Sequence, residues 1–128
     1  MTRRSIVIIG GGVAGSLLAL QLTRLPGGPW PLEVHIVEPR PRLGPGTAYG
    51  TDRPEWLLNV RSSGLSALPD EPNHFADWLL GQGIEDGPNG FCSRQTYGHY
   101  LEGLLEPALA APAANGVRLR WHQTCALA

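Results

Sequence analysis

Three glycines and one carboxylate carry the chemistry most legible in this chain. Gly10, Gly12 and Gly15 form G-x-G-x-x-G directly after the apolar run Ile6-Val7-Ile8-Ile9, and Glu38 follows 23 residues beyond Gly15. A glycine turn between a strand and a helix lets backbone approach a pyrophosphate and aims the unpaired N–H groups of a helix N-terminus at it. Gly10 permits the tight turn, Gly12 puts no side chain in the way of the phosphates, and Gly15 lets the helix sit close to the strand. Val13 and Ala14 complete the candidate phosphate loop. Glu38 stands near the spacing of about 20 residues at which a carboxylate bonds a ribose hydroxyl. A carboxylate there disfavours a 2′-phosphate, which argues against NADP in this site and leaves NAD and FAD open.

These residues need a strand, a helix and a second strand to position them. Leu17, Leu18, Leu22 and Leu25 recur at roughly helical spacing after the turn, Ala19 keeps one face small, and Pro26-Gly27-Gly28 stops the helix. Leu32–Glu38 alternates as a second strand and ends in the acid. A Gly- and Pro-rich loop, Pro39 to Gly50, leaves that strand end, and Arg40 and Arg42 in it are candidates for the adenine or phosphate region. Asn59, a polar residue inside Trp56-Leu57-Leu58-Asn59-Val60, is either a cofactor contact through its amide or a turn-completing residue.

Farther along, Asp70-Glu71-Pro72-Asn73 is expected to open a short helix with acids in its first turn, burying Phe75, Trp78 and Leu79. Gly81 to Gly90 reads as a second glycine-rich loop. Ser93 is placed to cap a longer helix carrying Tyr97, Tyr100, Leu101, Leu104, Leu105 and Leu109, with Pro107 bending or ending it. Arg94 stands in that helix's first turn, where the dipole disfavours positive charge, so it is either a surface arginine or a partner for an anion. Val117–Trp121 reads as a third strand with an open edge.

Composition narrows the classes. At 128 residues, 42% apolar, with a net charge of -1, the chain is expected to be one α/β domain spanning residues 1–128, with no attraction to nucleic acid or membrane. Cys92 and Cys125 are far apart and the four histidines show no ligand spacing, so no metal site is expected and a reduced, cytoplasmic setting is the default. Thr2-Arg3-Arg4 before an apolar run resembles an export signal, and Ser5–Thr23 is long enough to suggest a short membrane anchor. Glycines crowd the middle of that run, no small-x-small cleavage site follows Leu22, and neither idea accounts for Glu38.

The motifs I-I-G-G-G-V-A-G, V-E-P-R, G-x-G-T-A-Y-G-T, L-L-N-V, D-E-P-N-H-F-A-D-W-L and R-x-x-Y-G-x-Y-L together resemble the N-terminal part of the FAD/NAD(P)-binding protein family. This is a bacterial flavoprotein group similar to the N-hydroxylating and other class B flavin monooxygenases. The likeness runs from about Ser5 to about Trp121. It implies a Rossmann-like parallel sheet, a resident FAD with its ADP half over Gly10, Gly12 and Gly15, and NAD(P)H as electron donor for the full-length protein. It places Asn59 near the flavin end and Arg94 with Tyr97 beside the cofactor. Family members continue into further strands and a second nucleotide site, so the chain is expected to be an incomplete FAD-binding domain completed by a missing C-terminal segment or a partner chain. The function expected is the FAD-binding portion of an oxidoreductase; a stand-alone NAD- or FAD-binding regulatory module is the alternative.

Overall fold

The apolar run after the N-terminal arginines forms strand β1 (Arg4–Ile9), and the glycine turn delivers the chain straight into helix α1 (Val13–Thr23). The computed structural model describes residues 2–84, 87 and 89–128. The alternating segment forms β2 (Leu32–Val37), and the last alternation forms β3 (Arg118–His122). Between them come a single helical turn α2 (Gly46–Tyr49), a 3-10 turn (Ser62–Gly64), α3 (His74–Gly81) and α4 (Arg94–Ala110). Strand β2 is central and parallel to both neighbours, with Ile8 opposite Ile36 and Val37 opposite His122. Parallel strands joined through helices make this a Rossmann-like α/β fold. The run Ser5–Thr23 is divided between β1 and α1 by the glycines. No helix among the described residues is long and apolar enough to cross a membrane.

The chain divides into two compact units, Met1–Gly46 with Glu102–Ala128, and Thr47–Leu101. In the first, one face of the sheet carries Ile8, Val34, Ile36 and Leu119, all buried, and α1 buries Ser16, Ala19 and Leu20. The leucine spacing predicts a stripe through Leu18 and Leu25, yet Leu18 is 52% exposed and Leu25, beyond the end of α1 at Thr23, is 42% exposed. Apolar residues surround this helix, so spacing selects no face. The small residues Gly15, Ser16 and Ala19 allow the closest approach, and they set the rotation.

Asn115 fixes the far end of α1 in the same unit. Its buried amide Nδ2 donates to the carbonyls of Leu22 and Leu25 at 3.0 and 3.2 Å, and its Oδ1 accepts the Val117 N–H at 3.1 Å. One side chain thus satisfies carbonyls at the C-terminal end of the helix and sets the entry into β3.

The second unit is built on aromatic rings. Phe75 of α3 packs edge-on to Tyr97 at 5.0 Å between centroids and lies 4.7 Å from Tyr100, with Trp78 and His74 alongside. Each phenol has a partner: Tyr97 donates to the Leu65 carbonyl at 3.2 Å, while Tyr100 accepts the Ala67 N–H at 3.2 Å and lies 2.9 Å from His74 Nδ1. Burial pushes the Tyr97 hydroxyl up to about 12, with Tyr100 and Tyr49 adding to the shift.

Several expectations shift here. α3 begins at His74, not at Asp70, because Asp70-Glu71-Pro72-Asn73 is spent on turns in which the Glu71 N–H bonds Leu68 O and the His74 N–H bonds Glu71 O. Asp77, not Asp70 or Glu71, is the acid in its first turn. Ser93 does cap α4, its Oγ accepting the Thr96 N–H at 3.1 Å. Pro107 does not end that helix, which runs on to Ala110. Proline removes a single N–H, and its clash is with the carbonyl four residues back, here that of Gly103. The loop Gly81 to Gly90 lies in part, at Glu85, Asp86 and Pro88, outside the described residues.

Replacing Asn115 with Ala should cost about 2–3 kcal/mol by stranding buried partners; urea unfolding that leaves the midpoint unchanged would refute this role. A phenol whose folded pKa is raised from the unfolded value of about 10 gives stability that is complete below that pH and lost as pH rises through the folded value. Chain stability should therefore fall between pH 10 and about 12. Tyr97→Phe should flatten that fall; an equally steep decline in the variant counts against it.

Candidate functional site

The glycine turn is shaped by contacts within the first unit. Gly10 has φ +104°, a region that residues with a Cβ rarely adopt. A Cβ at Gly15 would strike the Gly10 carbonyl oxygen and lie 3.0 Å from Ile8 Cγ2. Backbone conformation therefore requires glycine at position 10, and packing requires it at position 15. At Gly12 an added Cβ would meet only the Gly46 Cα at 3.5 Å, an ordinary contact, so packing does not require glycine there. Gly12 is also the N-cap of α1, and it offers no side chain to the helix. The first turn carries no acid either, and Ala14 in it is exposed. The N–H groups and positive dipole end of α1 are thus not neutralised by a capping side chain.

Glu38 lies directly against this turn. It is 3% exposed, and its Oε1 accepts the Gly11 N–H at 3.2 Å while Oε2 accepts the Arg40 N–H at 2.9 Å. The Arg40 guanidinium, itself exposed, stands 3.5 Å from Oε1. A carboxylate offers about four lone-pair directions, so capacity for a further donor remains. Backbone bonds hold the acid in place: the Glu38 N–H donates to His122 O at 3.0 Å, and Trp121 Nε1 donates to Glu38 O at 3.1 Å.

The loop after Glu38 folds back over the glycines. The Gly44 N–H donates to Gly11 O at 2.8 Å, and Leu43, Gly44, Pro45 and Gly46 are all buried. A Cβ on Gly11 would strike Leu43 Cδ1 and lie 2.7 Å from Glu38 Cβ. Sequence reading passed over Gly11, Leu43 and Gly44. The glycine occupying a variable position of the motif was the available signal. Arg42 does not point to a phosphate role: its Nε donates to Glu102 Oε2 at 2.9 Å, with Nη2 of the same guanidinium 2.8 Å from that oxygen.

Asn59 and Arg94 belong to the second unit. An antiparallel bridge, Leu57 to Ser93, brings their segments side by side, with the Leu58 N–H on Cys92 O and the Arg94 N–H on Trp56 O, both at 2.8 Å. Arg94 Nε lies 3.4 Å from Leu57 O as its donor, and both Arg94 and Asn59 are exposed. Thirty-five positions separate them in sequence, and the bridge cancels that distance.

A parallel sheet, a glycine turn into an uncapped helix and a buried acid against the turn are the parts of a dinucleotide-binding domain. Residues 7–128 match the FAD-NAD(P)-binding family, and the chain belongs to it. No curated protein matches the chain.

The steric contrast between the glycines can be measured. Gly15→Ala should destabilise the fold by about 2–3 kcal/mol. Gly12→Ala should leave thermal stability near wild type while weakening dinucleotide binding. Equal loss of stability in the two variants would show that the turn is not packed as described.

Proposed function

We propose that this chain is the FAD-binding portion of a flavin-dependent oxidoreductase that draws electrons from NAD(P)H, monooxygenase-like in class. The observation that carries the reading is the buried Glu38 carboxylate bonded to the Gly11 amide at the mouth of a turn whose Gly12 is not required by packing. Family membership supports a dinucleotide, and the central motifs, G-T-A-Y-G-T and L-L-N-V above all, favour FAD over NAD by resemblance.

The residues fit an ADP group. The first-turn amides of α1, at Val13, Ala14 and Gly15, would receive the pyrophosphate, with Gly10 and Gly12 giving backbone access. Glu38 would accept ribose hydroxyls on its remaining lone pairs, and its negative charge would repel a 2′-phosphate. Arg40, Asn59 and Arg94 enter the proposal as cofactor contacts on resemblance alone. Bound flavin would supply the hydride and electron chemistry, while the protein binds and orients it. As an isolated chain, we propose that it has little or no turnover.

The test is to purify the chain, record its visible absorbance, and follow thermal unfolding with FAD and with NAD added separately. A yellow protein, or an upward shift with FAD, is expected. Glu38→Gln should weaken FAD binding by about tenfold or more through loss of a charged acceptor. A shift with NAD and none with FAD would overturn the flavin assignment, and indifference to both would overturn the dinucleotide site itself in this chain.

A further inference from the structure

Strand β1 is open where a parallel strand is ordinarily enclosed. Parallel sheets bury both faces, and their strands read as continuous apolar runs, as Ile6-Val7-Ile8-Ile9 does. Yet within β1 only Ile8 is buried, while Val7 is 61% and Ile9 73% exposed. The Arg4 N–H donates to Pro31 O at 2.8 Å and the Gly10 N–H to Val37 O at 2.9 Å. In that register Arg4, Ile6, Ile8 and Gly10 direct their backbone groups to β2. Ser5, Val7 and Ile9 direct theirs outward, along an edge with apolar side chains on both faces. The other edge strand, β3, carries exposed Arg118 and Arg120, charges of the kind that discourage strand addition.

We propose that β1 pairs antiparallel with β1 of a second copy of this chain, about a two-fold axis at Val7, and that Arg4 of each copy reaches the glycine turn of the other. An antiparallel ladder alternates hydrogen-bonded and non-hydrogen-bonded pairs. Centred on Val7, the bonded pairs are Val7 with Val7 and Ser5 with Ile9, so every outward N–H and C=O of the strand gains a partner. Ile6 then lies across from Ile8, which pairs two apolar residues on one face. Arg3 and Arg4 of the two copies fall at opposite ends of the ladder, whereas parallel pairing would set like charges side by side. Helix α1 contacts both β1 and β2. With strands about 4.8 Å apart, the two α1 axes come to about 10 Å, an ordinary helix-packing distance.

The register also fixes where Arg4 goes. It lies opposite Gly10, which has no side chain to fill the space there. Alternation puts Arg4 on the same face of the strand as Ile8. That is the face α1 covers, because a Cβ at Gly15 would lie 3.0 Å from Ile8 Cγ2. The exposed Arg4 of one copy therefore stands beside the α1 N-terminus of the other, where both would bind a shared pyrophosphate. The role of Arg4 rests on the dinucleotide reading, whereas the strand pairing does not.

The experiment is sedimentation of the 128-residue chain, with FAD titrated in parallel. The wild type should be a dimer. Val7→Lys, which sets two ammonium groups face to face at an exposed position, should weaken the dimer by about tenfold or more. The same variant should lose FAD affinity, as should Arg4→Ala, which leaves the dimer intact. In a Cys92→Ser, Cys125→Ser background, Val7→Cys should form an interchain disulfide, since bonded antiparallel pairs hold their Cα atoms about 5.5 Å apart. Ile9→Cys should not, because it faces Ser5. A monomeric wild type, or equal cross-linking through Ile9→Cys, would overturn the pairing. A dimer whose FAD affinity is indifferent to Arg4→Ala would overturn the shared site, and a dimer that binds no FAD would overturn the dinucleotide reading while leaving the pairing in place. Should Val7→Lys fail to fold, the two cysteine variants decide the register by themselves.

Discussion

The hydrogen bond from the Gly11 amide to the Glu38 carboxylate is the constraint on which this architecture turns. It joins the end of β2 to the turn after β1, so the strand pair and the glycine loop cannot be positioned independently. The carboxylate is almost wholly buried, and a buried charge is tolerated only where donors surround it. Two backbone amides and a nearby guanidinium meet that demand. The same acid that would recognise a ribose therefore also helps shape the turn that would hold the phosphates.

Around this bond, small residues decide distances. Gly15 brings helix against turn, Gly11 admits Leu43 and Glu38, and Gly46 comes onto the Gly12 Cα. The loop from Pro39 to Gly46 becomes a backing layer for the turn, held by the Gly44 amide and by the Arg42–Glu102 ion pair. Asn115 does comparable work at the opposite end of α1. Small residues at the strand contact and the Asn115 amide at the far end, more than an apolar stripe, fix how α1 lies on the sheet.

The second unit relies on different physics. Its centre is a set of contacting aromatic rings from α3 and the first part of α4, with Tyr97 and Tyr100 tied to backbone groups of the preceding loop. Rings of this size bury much area with few rotatable bonds, which suits a unit with no sheet among its described residues. The bridge from Leu57 to Ser93 then fixes where the loop carrying Asn59 lies against the start of α4.

The order of elements, the glycine turn, the acid and the parallel α/β class were legible in the sequence because they follow from local patterns: alternation, helical spacing and a motif of fixed length. The capping role of Ser93 was legible for the same reason. Tertiary structure alone decided which face of α1 is buried, because its apolar residues surround the helix and only packing against the strands selects among them. It alone drew Arg42 to Glu102, set Asn115 under the end of α1, and set His35 beside His122. Those pairings join residues tens of positions apart, and such distances close only when strands and helices are assembled.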